Sequence, residues 1–185
     1  GRTFNPKKHP HIDFLRKQLP PIGEQPIHIR IRGSIPKASG LGSSAALSVA
    51  LCGALQQLRG EDLNPMQASE LSHRAEANAQ DGRASPMDTA TSSFGGFVVL
   101  SDIVEDDLEY LGVRTMDVEG TTQQWQLHTF NAQIPQGVAL VIGNTGVHGS
   151  TSAMVKQVAD LLHENPNRSV ELETSGAIAR RGIQA

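Results

Sequence analysis

The sequence predicts an α+β protein built from two units, and three observations carry that expectation. Ile27, Ile29 and Ile31 alternate with His28, Arg30 and Arg32, the period of a strand with one buried face. A run of small residues, PKASGLGSSAA at 36–46, then leads into apolar residues at helical spacing. Helix and strand patterns continue to alternate along the chain. Pro135 interrupts them near Asn131 to Gln136, which places a boundary between residues 1–133 and 134–185.

Each element has a local reason. From Ser43 to Leu58 the residues Leu47, Ala50, Leu51, Ala54, Leu55 and Leu58 share a helical face, and Gly60 stops it. Asn64 as cap and Pro65 as first helical residue open a second helix that runs to about Gln80, where Asp81-Gly82 breaks it. Ser85-Pro86 starts a short helix with Asp88 near its beginning. Gly95-Gly96 ends it, and Phe97 to Leu100 reads as a strand. Residues 102–122, rich in Asp and Glu, read as solvated loop and hairpin edges, with a strand at Gln124 to Phe130 to follow. Val138 to Ile142 has the look of a buried strand. GNTGVHGS follows it as a loop, with Ser150 or Thr151 capping an amphipathic helix to His163. Met154, Val155, Val158 and Leu161 to Leu162 lie on one side of that helix, and Ser169 to Ala185 also reads helical.

The totals narrow the function. Over 185 residues, 38% hydrophobic, the net charge is −3, which gives no general electrostatic reason to bind nucleic acid or an anionic membrane. No apolar run approaches the roughly 20 residues of a membrane-spanning helix, and the first residues lack the apolar core of a secretory signal. Cys52 is the sole cysteine, so the chain has neither an internal disulfide nor a thiolate metal cluster. It reads as a small core residue of a protein in the reducing cytoplasm.

The small-residue run points to phosphate. Glycine lets backbone come close to a ligand, and the helix that follows presents free N–H groups and a positive dipole end. A Walker loop would need Gly-Lys followed by Ser or Thr. Here Lys37 precedes both Gly40 and Gly42, so that reading fails. GLGSSA at 40–45 fits the dinucleotide pattern in letters but not in setting, because Pro36 separates it from the strand and a second helix follows.

PKASGLGSSAA strongly resembles the central motif of the GHMP small-molecule kinases, commonly Pro-x-x-x-Gly-Leu-Gly-Ser-Ser-Ala. GRASPMDTATSSFGGF at 82–97 and VALVIGNTGVHGSTSAMV at 138–155 are similar to segments of archaeal mevalonate kinases. The resemblance implies a ribosomal-protein-S5-like first domain, a ferredoxin-like second domain, and transfer of phosphate from ATP to mevalonate in isoprenoid synthesis. It implies an ATP cradle at Pro36, Ser39, Gly40, Leu41, Gly42, Ser43, Ser44 and Ala45. It also implies a magnesium site at Ser44 and Glu76, a catalytic carboxylate at Asp88, and a substrate contact at Thr145. Homodimers are common in the family.

Plainer roles stand beside these. The loop could be an ordinary tight turn before a capped helix, Asp88 a helix-end charge, Glu76 a solvated glutamate, and Thr145 part of a generic loop; His148 reads as solvated. Sibling kinases for homoserine or phosphomevalonate, and a nucleotide-binding module without catalysis, are the rival functions. The family's Pro-Gly-Lys lysine loop and its Gly-Ala-Gly-Gly-Gly loop do not occur in this sequence. The resemblance thus covers the middle of the family's usual chain, and these residues alone are expected to show little kinase activity.

Overall fold

The computed structural model describes residues 4–184, apart from 22, 24, 25, 37, 38, 81, 83, 104, 105, 119, 144, 145 and 147–150. The described elements run α1 (Pro10–Gln18), α2 (Ser43–Leu58), α3 (Pro65–Ala79), α4 (Met87–Phe94), β1 (Phe97–Leu100), β2 (Leu108–Val118), β3 (Thr121–Phe130), α5 (Thr151–Glu164) and α6 (Ser169–Ile183). A 3-10 turn, Pro166–Arg168, joins the last two. The α+β expectation holds, with helices packed beside a three-stranded antiparallel sheet of order β1-β3-β2.

The helix boundaries follow the punctuation in the sequence. Asn64 caps α3, its side chain accepting from the Gln67 N–H at 3.1 Å, and Pro65 fills the first position. Ser85 Oγ accepts from the Met87 N–H at the start of α4. Gly95, at φ 70°, ends it in a conformation that a side chain would resist.

The core is helical. Ile12, Leu15 and Leu19 of α1 and its C-cap meet Leu51, Cys52 and Leu55 of α2 and Ala68 and Ala75 of α3. Alanine and serine dominate the buried face of α3, so the neighbouring helices approach it closely. The sheet packs on the other side of α3. There the buried Arg114 of β2 donates through Nη2 to Ser69 Oγ at 3.2 Å and contacts Met66 Sδ at 3.6 Å. Gly112, at a register shift in β2, leaves room for the Met66 methyl: a Cβ would lie 3.1 Å from Met66 Cε.

Two expectations are corrected and one is sharpened. The hairpin edge expected within 102–122 is a long strand, Leu108–Val118, with Leu108 and Arg114 buried and Glu109 and Asp117 exposed. Its acidic residues occupy the solvent face, which is what an alternating half-buried strand permits. Ile27 to Ile31 forms no strand, and its isoleucines are exposed. Val138 to Ile142 likewise forms no strand, with Val141 89% exposed. The reason is the same in both cases. A strand satisfies its backbone only through a neighbour, and among the described residues neither segment has one.

Candidate active site

The site lies where the start of α2 meets the buried face of α3 and the first turn of α4. Gly42 is the N-cap of α2, at φ 63°. A Cβ placed there would stand 3.4 Å from Asp88 Cγ, an ordinary contact, so the Asp88 carboxyl lies against this turn and it is the left-handed φ that favours glycine. Gly40, at φ 75°, turns the chain just before it, and Ser39 Oγ donates to the Pro36 carbonyl at 2.8 Å. The first intrahelical bond runs from the Ala46 N–H to the Gly42 carbonyl, 2.9 Å. The N–H groups of Ser43, Ser44 and Ala45 precede it, in the part of a helix that has donors to offer. Leu41 is exposed beside this turn, and Ala45 is buried beneath it.

Glu76 stands on the same face of α3 as Ser69, Ser72 and His73, and is buried. Ser44 Oγ donates to its Oε2 at 2.7 Å and Gln80 Nε2 to the same oxygen at 3.2 Å; Ser48 Oγ donates to Oε1 at 3.2 Å. His11 Nε2 lies 3.1 Å from Oε1. The contact lacks the alignment of a hydrogen bond. Burial by itself pushes the Glu76 carboxyl up, but the contacts with His11, Ser44 and Ser48 together outweigh it and leave the pKa below the usual value. Glu76 is therefore a carboxylate at neutral pH. Asp88 is exposed as a residue, yet desolvation of its carboxyl, followed by the charge of Glu76, moves its pKa upward.

The structure thus brings Gly42, Ser44, Glu76 and Asp88 together, with Pro36, Ser39, Gly40, Leu41, Ser43 and Ala45 in the loop and first turn alongside. Glu76 is not a solvated glutamate. Thr145, His148 and Ser150 lie outside the described residues. His11 escaped the sequence reading because no helix was expected before residue 27. The signal was there, in Pro10 at a first helical position and Ile12, Leu15 and Leu19 spaced to share a face.

The donor set suits a hard cation. A serine hydroxyl that gives its proton to a carboxylate keeps its lone pairs, and Ser44 is exposed where Glu76 is not. Magnesium takes few protein oxygens and completes its shell with phosphate and water. Among the described residues no group of three His, Cys, Asp or Glu side chains could hold a metal alone. A separate cavity of about 590 Å³ runs along Val49, Gly53, Ala54, Leu63 and Ser93. None of Gly42, Ser44, Glu76 and Asp88 lines it.

Among the described residues no helix is long and apolar enough to cross a membrane. No solved structure matches the chain significantly. Residues 9–96 match the family model for the GHMP kinases N terminal domain. The mevalonate kinase of Methanothermobacter thermautotrophicus is 45% identical over 102 residues, covering 52% of this chain and 33% of that protein. The mevalonate kinase of Thermococcus gammatolerans is 30% identical over 155 residues, 84% of this chain and 38% of the relative. The chain therefore spans about a third of the length of the curated relatives it matches. Through the segment that carries α1 to α4, with the glycine turn and both carboxylates, the chain belongs to the GHMP kinase family.

Proposed function

We propose that this chain carries the nucleotide-phosphate and acid-bearing part of an ATP-dependent mevalonate kinase acting in the cytoplasm in isoprenoid synthesis. One observation supports the reading above the rest: Ser44 and Glu76 are joined by a 2.7 Å hydrogen bond beside the turn that Asp88 faces across Gly42. Mevalonate is favoured as the acceptor by the Ser85-Pro86-Met87-Asp88-Thr89 run and by the names of the relatives. The division near residues 133 and 134, with Thr145 contacting substrate beyond it, belongs to the same proposal.

The roles follow from charge and position. The Gly40–Ala45 turn and the free N–H groups of the first turn of α2 receive the phosphates of ATP. Ser44 and Glu76 would hold magnesium, which supplies neutralisation of phosphate charge when bound. Gln80 at 3.2 Å is the weaker donor to Glu76 Oε2, and so the bond a cation would replace. Asp88 accepts the proton of the acceptor hydroxyl as that oxygen takes the γ-phosphoryl group and ADP leaves. Its raised pKa suits a group that takes a proton and returns it to water. Phosphoryl transfer asks mainly for positioning and charge stabilisation, and the site offers both.

The test pairs binding with transfer. Mg-ATP is titrated into the chain by calorimetry, and γ-phosphate transfer is followed, in a kinase of the relatives' full length that carries this segment, with mevalonate, homoserine and phosphomevalonate in turn. Binding that Ser44→Ala weakens, with transfer to mevalonate that Asp88→Ala abolishes while binding persists, is the expected pattern. Transfer that survives Asp88→Ala would reduce that residue to a helix-end charge. Absence of nucleotide binding would end the reading.

A further inference from the structure

α3 carries a buried side chain that the roles above leave unused. His73 has no solvent exposure, and it sits one turn before Glu76 on the same helical face. Its Nε2–H donates to the backbone carbonyl of Ala84 at 2.9 Å, which assigns the ring proton to that nitrogen. Nδ1 is buried without a hydrogen-bond partner among the described residues. Trp125 of β3 meets the ring edge-on, centroids 5.5 Å apart, and fixes its plane from the sheet side. Burial pushes the imidazole pKa down, so the ring is neutral at pH 7 and keeps a single donor; the charged groups around it are Arg114, Glu76 and Glu70.

Ala84 is the point where the chain enters α4. Ser85 Oγ accepts from the Met87 N–H, and the Pro86 carbonyl, on a fully buried residue, takes the first helical bond from the Ala90 N–H at 2.9 Å. Thr89 Oγ1 also donates to that carbonyl, at 3.1 Å. Asp88 sits inside this arrangement, so whatever holds Ala84 sets the side from which its carboxyl meets Gly42.

We propose that His73 is a positioning residue for Asp88, its Nε2–H holding the Ala84 carbonyl so that α4 starts with the Asp88 carboxyl against Gly42. The role rests on the kinase reading for its purpose but not for its geometry. Glu76 and Asp88 thereby answer to one helix: α3 presents the first as a side chain and places the second through His73.

The test uses the whole chain and three substitutions. His73→Gln keeps an amide N–H at about the reach of Nε2, His73→Asn places it short, and His73→Leu has no donor. In the unaltered protein, ring ¹⁵N shifts should report a neutral ring protonated at Nε2. Leu and Asn should speed amide exchange at Ala90 about tenfold, the loss of one buried hydrogen bond. They should also return the Asp88 titration, followed by carboxyl ¹³C shifts, toward its ordinary range. Gln should restore both. Should His73→Leu fail to fold, the Asn and Gln pair makes the same comparison between two polar amides. In phosphate transfer by a kinase of the relatives' full length that carries this segment, Leu and Asn should lower kcat and leave the KM for ATP unchanged, again with rescue by Gln. An Asp88 titration and Ala90 exchange identical in all four proteins would overturn the proposal. Failure of transfer in that full-length protein, with the Asp88 and Ala90 changes as expected, would overturn the kinase reading and leave the positioning intact.

Discussion

The two ends of the chain share the same kind of pattern and differ in what covers it. In α1 to α3 apolar positions from all three helices close into one core, and Leu15 and Cys52 are wholly buried, while Leu58 at the end of α2 is exposed. In α5 and α6 the pattern is as regular, yet Met154, Val155, Val158, Val170, Leu172 and Ile178 are all exposed. Both regions are helical. The difference teaches which part of secondary structure is local. A helix pairs its own backbone groups, so an amphipathic stretch with good ends keeps its shape uncovered. A strand has no such resource, and Ile27 to Ile31 and Val138 to Ile142, with equally apolar side chains, form no strand.

The widest gap between the regions should appear in paired truncations. Leu15→Ala removes a side chain from the middle of the helical core and should cost about 3 kcal/mol in chemical denaturation. Val141→Ala, at a site 89% exposed, should stay within about 0.5 kcal/mol. Equal losses would mean that residues 138–142 are buried in solution, and the contrast would collapse.

The polar centre of the well-packed region gives the next effect. Glu76→Gln removes the charge that His11, Ser44, Ser48 and Gln80 surround, and should cost about 1–3 kcal/mol at pH 7. The sign with pH is fixed by the direction of the shift. The folded-state pKa of Glu76 lies below its unfolded value, so its contribution is complete above the unfolded value, near 4.3, and is lost as pH falls through the folded one. Unfolding curves of the two proteins should therefore converge in acid. A gap that persists there would show that packing, not ionisation, sets the loss.

Capping ranks third, and it separates local from long-range information. Asn64→Ala should cost about 1 kcal/mol by freeing the Gln67 N–H. That cap was legible because its signal is confined to neighbours: Asn64-Pro65, like Ser85-Pro86 and Gly95-Gly96, names an end without reference to the rest of the chain. The candidate site was legible for a related reason. Gly42 and Ser44 belong to one short motif, and Asp88 and Glu76 fall near another. What could not be read was anything depending on a distant partner. His11 reaches Glu76 only because α1 packs on α3, and β2 exists only because β3 offers it a ladder from Leu108 to Val118. The acidic residues that made 102–122 read as loop say where the solvent is, not whether a neighbouring strand lies alongside.

The smallest effect has the opposite sign. Asp88 has a folded-state pKa raised above its unfolded value, by desolvation first and then by Glu76. For such a group the folded state is favoured by protonation. The stability it gives is complete below the unfolded pKa and is lost as pH rises through the folded one. At pH 7 the ionised carboxylate is thus a net cost, and Asp88→Asn should raise the melting temperature slightly. Because the residue is exposed, solvent screening keeps the gain small. The increment should shrink as pH falls through the folded-state pKa, where the native carboxyl takes up its proton and the two side chains become alike in charge. Asn64→Ala, lacking any ionisable group, should lose the same stability on both sides of that pKa. If Asp88→Asn instead lowered the melting temperature at pH 7, the carboxylate would be serving the dipole of α4 as an ordinary helix-end charge. The region that packs best would then contain no residue held there at the expense of stability.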